Sequence, residues 1–241
     1  MKKFSIVLIL CLLATATTFA QYKPEAGSVT TEIQFNPFNQ NGQNFSVDGL
    51  KLRYFFNENN ALRATIGFGV YNNKFTQKDD NSSSEYKTRQ GNFKLNLGYE
   101  YHIDIAPRLS AYVGLQTGFN IKNAKTTGKY ESNGTKSEVE IKGGALSEDD
   151  VDDPSNIDPS SLMNAGFEYN LGAFAGIDFY MYKGLYCGAE FGLDMNTFSS
   201  KKPSIKVKQG TTVNEEKPNI KRNTLDVAFK AIPTIRLGWR F

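Results

Sequence analysis

The sequence predicts an all-β fold: eight antiparallel strands in up-and-down order, closed into a barrel whose apolar face looks outward into a membrane. Three observations predict it. Hydrophobic residues recur at every second position in segment after segment, the period of a strand with two unlike faces. The connections between segments alternate between tight turns and long excursions. The polar face is rich in glycine, which a solvated surface does not require but a narrow, filled interior does. Composition agrees with this and removes other classes. The 241 residues hold 21 Gly, 18 Phe and 12 Tyr, with one Trp, one His and 22% charged side chains, unlike a disordered tail or a heptad coiled coil. A net charge of +3, spread evenly, leaves no footprint for nucleic acid. Two cysteines make neither a disulfide scaffold nor a structural zinc site.

The elements follow in chain order. Met1-Lys2-Lys3, an apolar run over 4–13 and small residues ending Thr18-Phe19-Ala20 have the layout of a secretory signal peptide cleaved before Gln21. The run is too short to span a bilayer as a helix, which takes roughly 20 residues. Leu10 is too bulky to precede a lipidated Cys11, so a lipid anchor is not expected, and export leaves Cys187 without a partner. Residues 1–20 are therefore read as a signal and 21–241 as one barrel domain. The first strand covers 29–35. The second covers 50–56 with Lys51 and Arg53 on its polar side; its parity disagrees with Phe45 and Val47, which a bulge near Asp48-Gly49 would reconcile. Strands follow over 62–70, 93–103, 109–121, 167–179 and 185–195. The last, 224–241, places Leu225, Val227, Phe229, Ile235, Leu237, Trp239 and Phe241 on one face. Across the six clear segments none of about 42 apolar-face positions is charged, where chance at 22% would put about nine.

Residues 57–60, 104–108 and 181–184 are tight turns, whereas 36–44, 77–88, 125–164 and 199–221 are long connections. Short turns on one rim and long loops on the other are the asymmetry of a transmembrane barrel, and strands of about 9–11 residues match a tilted crossing. Within the third long connection, 125–142 carries Asn133-Gly134 and reads as a hairpin, either projecting from the rim or adding two strands to make ten. An exported soluble β-barrel with an apolar core is the competing fold. Against it stand the glycines of the polar face and the aromatics at both ends of the apolar face. Phe56, Tyr101, Phe179, Trp239 and Phe241 gather at the short-turn rim, and Phe35, Phe119, Phe167 and Tyr169 towards the other.

The meander ending Ile235-Arg236-Leu237-Gly238-Trp239-Arg240-Phe241 resembles the small outer-membrane β-barrel proteins of the OmpA/OmpX type from Gram-negative bacteria. The resemblance covers residues 28–241 as architecture. It implies residence in the outer membrane among its lipids and lipopolysaccharide, with Trp239 and Phe241 as the signal read by the barrel-assembly machinery. The chain departs from OmpA in carrying no periplasmic peptidoglycan-binding domain. Pro233 also departs, since a closed barrel has no edge to spare an N–H, and it implies a bulge or a water-filled gap.

The inward face carries Lys51, Arg53, Arg63, Lys94, Lys230, Arg236 and Arg240 against Glu32, Glu100, Glu168, Asp178, Glu190, Asp194 and Asp226. Unpaired charges in so narrow a cylinder are costly, so this set is expected to pair into a network that fills the lumen. The protein is then a closed, non-enzymatic barrel whose long loops serve surface interaction with an extracellular partner or envelope stability. A small-solute channel through the same charges is the alternative. A lipid A-modifying enzyme is the weaker one, because His102, the only histidine, falls inward beside the 104–108 turn and away from the outer leaflet. There is no Gly-x-Ser-x-Gly, no phosphate-cradling loop and no cofactor motif. Glu148, Asp149, Asp150, Asp152, Asp153 and Asp158 could take a divalent cation, but they lack the glycine and spacing of an EF-hand loop and read as a solvated acidic loop. Lys201, Lys202, Lys206 and Lys208 in the fourth connection are placed to meet lipid phosphates or water.

Overall fold

The computed structural model describes residues 22–35, 49–79, 82–132, 134–146, 162, 164–182 and 184–241. The expected signal peptide, Phe45, Val47 and Asp48, and the acidic run 148–158 lie outside the described residues.

Among the described residues eleven strands form one antiparallel sheet. They are β1 (Val29–Phe35), β2 (Leu50–Asn57), β3 (Asn60–Asp79), β4 (Ser82–Ala106), β5 (Leu109–Ser132), β6 (Thr135–Lys142), β7 (Gly166–Tyr182), β8 (Leu185–Ser200), β9 (Ser204–Gln209), β10 (Thr212–Glu216) and β11 (Asn223–Arg240). Eight of them, in the order β1-β2-β3-β4-β5-β7-β8-β11, close on themselves. The closing seam runs from Thr30↔Arg240 to Phe35↔Ile235. A closed ring satisfies backbone N–H and C=O groups without water, which is the condition for crossing hydrocarbon with strands.

The three remaining strands lie within two of the long connections, β6 in 125–164 and β9 and β10 in 199–221. Residues 77–88 do not form a loop: β3 and β4 pair without a break from Asn60↔Tyr101 to Asp79↔Ser82. The long run of β5 divides its partners, its first part pairing β7 (Leu109↔Phe179 to Lys122↔Gly166) and its last part β6 (Lys125↔Lys142 to Ser132↔Thr135). The expected hairpin is present as the pairing of β5 with β6, which closes at Ser132↔Thr135 with Gly134 at φ 76°; Asn133 lies outside the described residues. β9 and β10 form a second hairpin, and β9 pairs β6. The extra strands extend a sheet above the rim rather than widening the ring, so the barrel has eight strands and not ten.

Pro233 sits where the β11–β8 register shifts, between Lys230↔Gly192 and Thr234↔Glu190. Three residues of β11 there face one of β8, and the ladder loses no bond to the missing N–H. Gly49 precedes β2 at φ 139°, and a Cβ there would overlap the Ile66 carbonyl; the close approach is open to glycine alone.

The barrel is inverted relative to a soluble protein. Leu115 is 64% and Phe68 84% exposed on the outside, whereas Arg53 and Arg236 are almost wholly enclosed. Phe93, Phe119 and Phe167 form a ladder of rings about one rim, with centroids 6.3 and 6.0 Å apart. Phe56 stacks near Tyr99 at the other. Beyond the phenylalanines the same outward face changes chemistry, from Leu115 and Ile121 to Lys125, Thr127 and Lys129 on β5. The apolar cluster that a soluble fold would place at its centre lies instead in the sheet extension. There Tyr86, Val139, Ile141 and Ile205 are covered by Leu146 and Leu162, and the Leu146 N–H donates to Thr126 Oγ1 at 3.2 Å.

Candidate functional site

The interior is built by strand alternation: every second residue points inward, and each of the eight barrel strands delivers at least one polar group to the same level. Arg53 on β2 stands at the centre. Its Nε lies 2.7 Å from Glu32 of β1, and its Nη1 lies 3.1 Å from Glu100 of β4 and 2.8 Å from Asp178 of β7. Arg236 of β11 reaches Asp178 at 2.5 Å and Glu32 at 3.1 Å. Arg63 of β3 joins Glu100 and Glu190 of β8, both at 3.1 Å. Lys51 lies 3.3 Å from Glu190 and 3.7 Å from Glu32. β5 contributes Tyr112, whose hydroxyl donates to Glu190 at 2.8 Å. Four cations thus face four carboxylates in a neutral, desolvated cluster. Charges this deeply enclosed persist only when each is matched and hydrogen-bonded.

Aromatic rings complete the packing. The Arg63 guanidinium lies 3.8 Å from the Phe174 ring centroid, that of Arg236 4.9 Å from Tyr112, and that of Arg53 5.1 Å from Tyr186, all within cation–π range. Glycines make room for these rings. A Cβ at Gly114 would overlap Phe174, at Gly176 the Tyr112 hydroxyl, and at Gly238 the Tyr186 ring. His102 is buried between Tyr112 and Phe55, with centroids 5.2 and 5.0 Å away. Its Nε2 lies 3.0 Å from Glu100 and its Nδ1 3.4 Å from Ser110.

Of the fourteen charged residues expected inside, eight meet in this cluster: Glu32, Lys51, Arg53, Arg63, Glu100, Asp178, Glu190 and Arg236. Glu168 stands apart, bonded at 2.6 Å to Lys122 of β5. Asp194 is buried beside Gln116, and Lys94 is half-buried above the cluster. Asp226 is exposed rather than enclosed, and it lies on the stretch of β11 beyond Ile235, where the seam with β1 ends among the described residues. The side chain of Lys230 is outside the described residues. Arg240 lies at the short-turn rim and donates to the Lys23 carbonyl. Trp239 faces outward at that rim, and the Phe241 N–H bonds the Val29 carbonyl at 2.8 Å. Asp149, Asp150, Asp152 and Asp153 are outside the described residues, among which no group of three His, Cys, Asp or Glu is placed to hold a metal. Tyr112, Tyr180 and Tyr186 are buried in the same interior; strand parity turns them inward, but a pattern of charges does not reveal the rings that pack against the ions.

A model of the outer membrane protein beta-barrel domain matches residues 14–199. The chain belongs to this family. It is a small outer-membrane β-barrel of the OmpA/OmpX type, resident in the cell outer membrane. Among solved structures, the crystal structure of Ail, the attachment invasion locus protein of Yersinia pestis, is similar at 14% sequence identity. The match covers 90% of this chain and 99% of that one with a TM-score of 0.32, too loose for residue-by-residue correspondence. No curated protein matches the sequence.

Beyond the apolar band the outward face is charged. Arg89, Lys125 and Lys142 lie directly opposite one another across β4, β5 and β6. Among the described residues Glu140 alone lies within ion-pair distance of this row, 2.5 Å from Lys125 and 3.9 Å from Lys142. The hydrogen bond from Lys125 holds the Glu140 carboxyl below its ordinary range.

Proposed function

We propose that this protein is a closed, non-enzymatic barrel that anchors a sheet platform at the cell surface and contacts the lipopolysaccharide layer. On this reading residues 1–20 export it, and Trp239 and Phe241 present the last strand to the assembly machinery. One observation carries the closed state: the neutral cluster draws side chains from all eight barrel strands into one level of the lumen. Moving an ion past it means parting buried pairs, each costing several kcal/mol to break. Purified protein in planar bilayers should therefore give no steady conductance steps, and stable single-channel openings would establish the channel instead. The position of His102, beneath the cluster and walled by Tyr112 and Phe55, supports a packing role over chemistry on a lipid of the outer leaflet.

Contact with lipopolysaccharide is supported by the row Arg89, Lys125 and Lys142. Like charges directly opposite one another in a sheet repel, and this row begins four residues beyond Phe93, in the headgroup zone where anionic phosphates lie. The double variant Arg89→Glu/Lys125→Glu should weaken binding of purified lipopolysaccharide by about tenfold in low salt, with the fold kept. Unchanged affinity would leave the sheet platform without this partner.

A further inference from the structure

Residues at the end of a barrel strand normally meet solvent at the mouth. At the short-turn end several inward-facing ones do not. Phe55 and Ala61, within two residues of the 57–60 turn, have no exposure, and His102, Tyr180 and Tyr186 are equally enclosed. The cover is the chain segment ahead of β1. Tyr22 accepts a hydrogen bond from Arg108 at 2.6 Å, and the Arg108 guanidinium lies 4.0 Å from the Tyr22 ring centroid. Lys23 pairs with Asp104 at 2.7 Å, and its carbonyl accepts from Arg240 of the seam strand. Pro24 is buried. A turn over Glu25–Ser28, with Gly27 at φ 85°, then hands the chain to β2 through the Gly27 N–H to the Phe55 carbonyl at 2.7 Å.

The topology makes these contacts a crossing. In the ring β1 has β5 four strands away in either direction, so Asp104 and Arg108, which flank the β4–β5 turn, stand on the far wall. Eight strands about 4.8 Å apart and tilted by about 40° enclose a mouth roughly 16 Å across. The turn keeps Glu25 within about 7 Å of Ser28, three further steps back to Tyr22 add at most about 11 Å, and the side chains of Lys23 and Arg108 complete the crossing to the far wall.

The geometry points to residues 22–28 as a built-in plug: this segment seals the short-turn mouth, so that the lumen meets solvent only from the long-loop rim. The plug is latched at the far wall by Lys23–Asp104 and Tyr22–Arg108 and at the seam by Arg240. It is distinct from the charged cluster above it, which stays in place when the strap leaves.

A cysteine below the cluster tests this. In a Cys187→Ala background, Ser110→Cys purified in detergent micelles should react slowly with a charged methanethiosulfonate, because both mouths are then in reach and only the strap guards the lower one. Adding Lys23→Ala and Arg108→Ala should raise the rate by about tenfold, and the charge swap Lys23→Asp with Asp104→Lys should restore protection. Unboiled gel migration checks that each variant is folded; if the double variant is not, Tyr22→Ala replaces it. Fast labelling with the strap intact, or a rate unmoved by its release, overturns the proposal. Bilayer recordings separate it from the closed-lumen reading: the strap variant should still not conduct, since the cluster remains.

Discussion

Asp178 shows how much one interior residue carries. It holds Arg53 at 2.8 Å and Arg236 at 2.5 Å, with no exposure of its own. Asp178→Ala leaves two guanidiniums short of a partner in a fully buried site, and it should cost about 3–5 kcal/mol. Urea unfolding of the refolded barrel in lipid vesicles measures this, and a change under 1 kcal/mol would mean the cluster is wet. Parity put Asp178, Arg53 and Glu32 on the same face from sequence alone. Which cation met which carboxylate was not legible, because the pairs join different strands at separations as unlike as 37 positions for Arg63 with Glu100 and 125 for Arg53 with Asp178. Their distance depends on strand stagger around the ring. Asp226 illustrates the same limit, having the right parity and the wrong height.

Among the elements, β5 is the most informative, because one face of one strand passes through two solvents. Leu115 and Thr127 share that face, the first in the apolar band and the second in the sheet extension. Leu115→Arg should cost about 2–4 kcal/mol in vesicles, as at a bilayer midplane, while Thr127→Arg should lie near zero. Equal costs at the two sites would mean that the apolar band does not end where the lysines begin. The alternation of 109–121 was plain in the sequence, and the hairpin at Asn133-Gly134 was legible from its turn residues. The continuation of β3 and β4 through 77–88 was not. Segments such as Thr76, Gln77, Lys78 and Ser82–Glu85 are polar on both faces, so period two leaves no trace, and they hold strand geometry through the ladder they share with each other and with β5.

For the whole molecule, the ring and its extension should differ in stability. The barrel strands are tied by one cluster and bounded by hydrocarbon, whereas β10 ends the sheet with every residue exposed. Amide hydrogen exchange should be slowest in 93–103 and 109–121 and faster by orders of magnitude in 212–216. Similar rates in both would show the extension to be as firmly held as the barrel. By itself the sequence determined the eight-strand meander, its inverted faces and the glycine-lined polar interior, since each is written in local alternation and in the residue types each solvent tolerates. Only the tertiary structure decided that three further strands stand above the rim, that eight particular charges balance in the centre, and that residues 22–28 lie across the lower mouth. Those are outcomes of ring closure and stagger, which bring together groups that no local pattern connects.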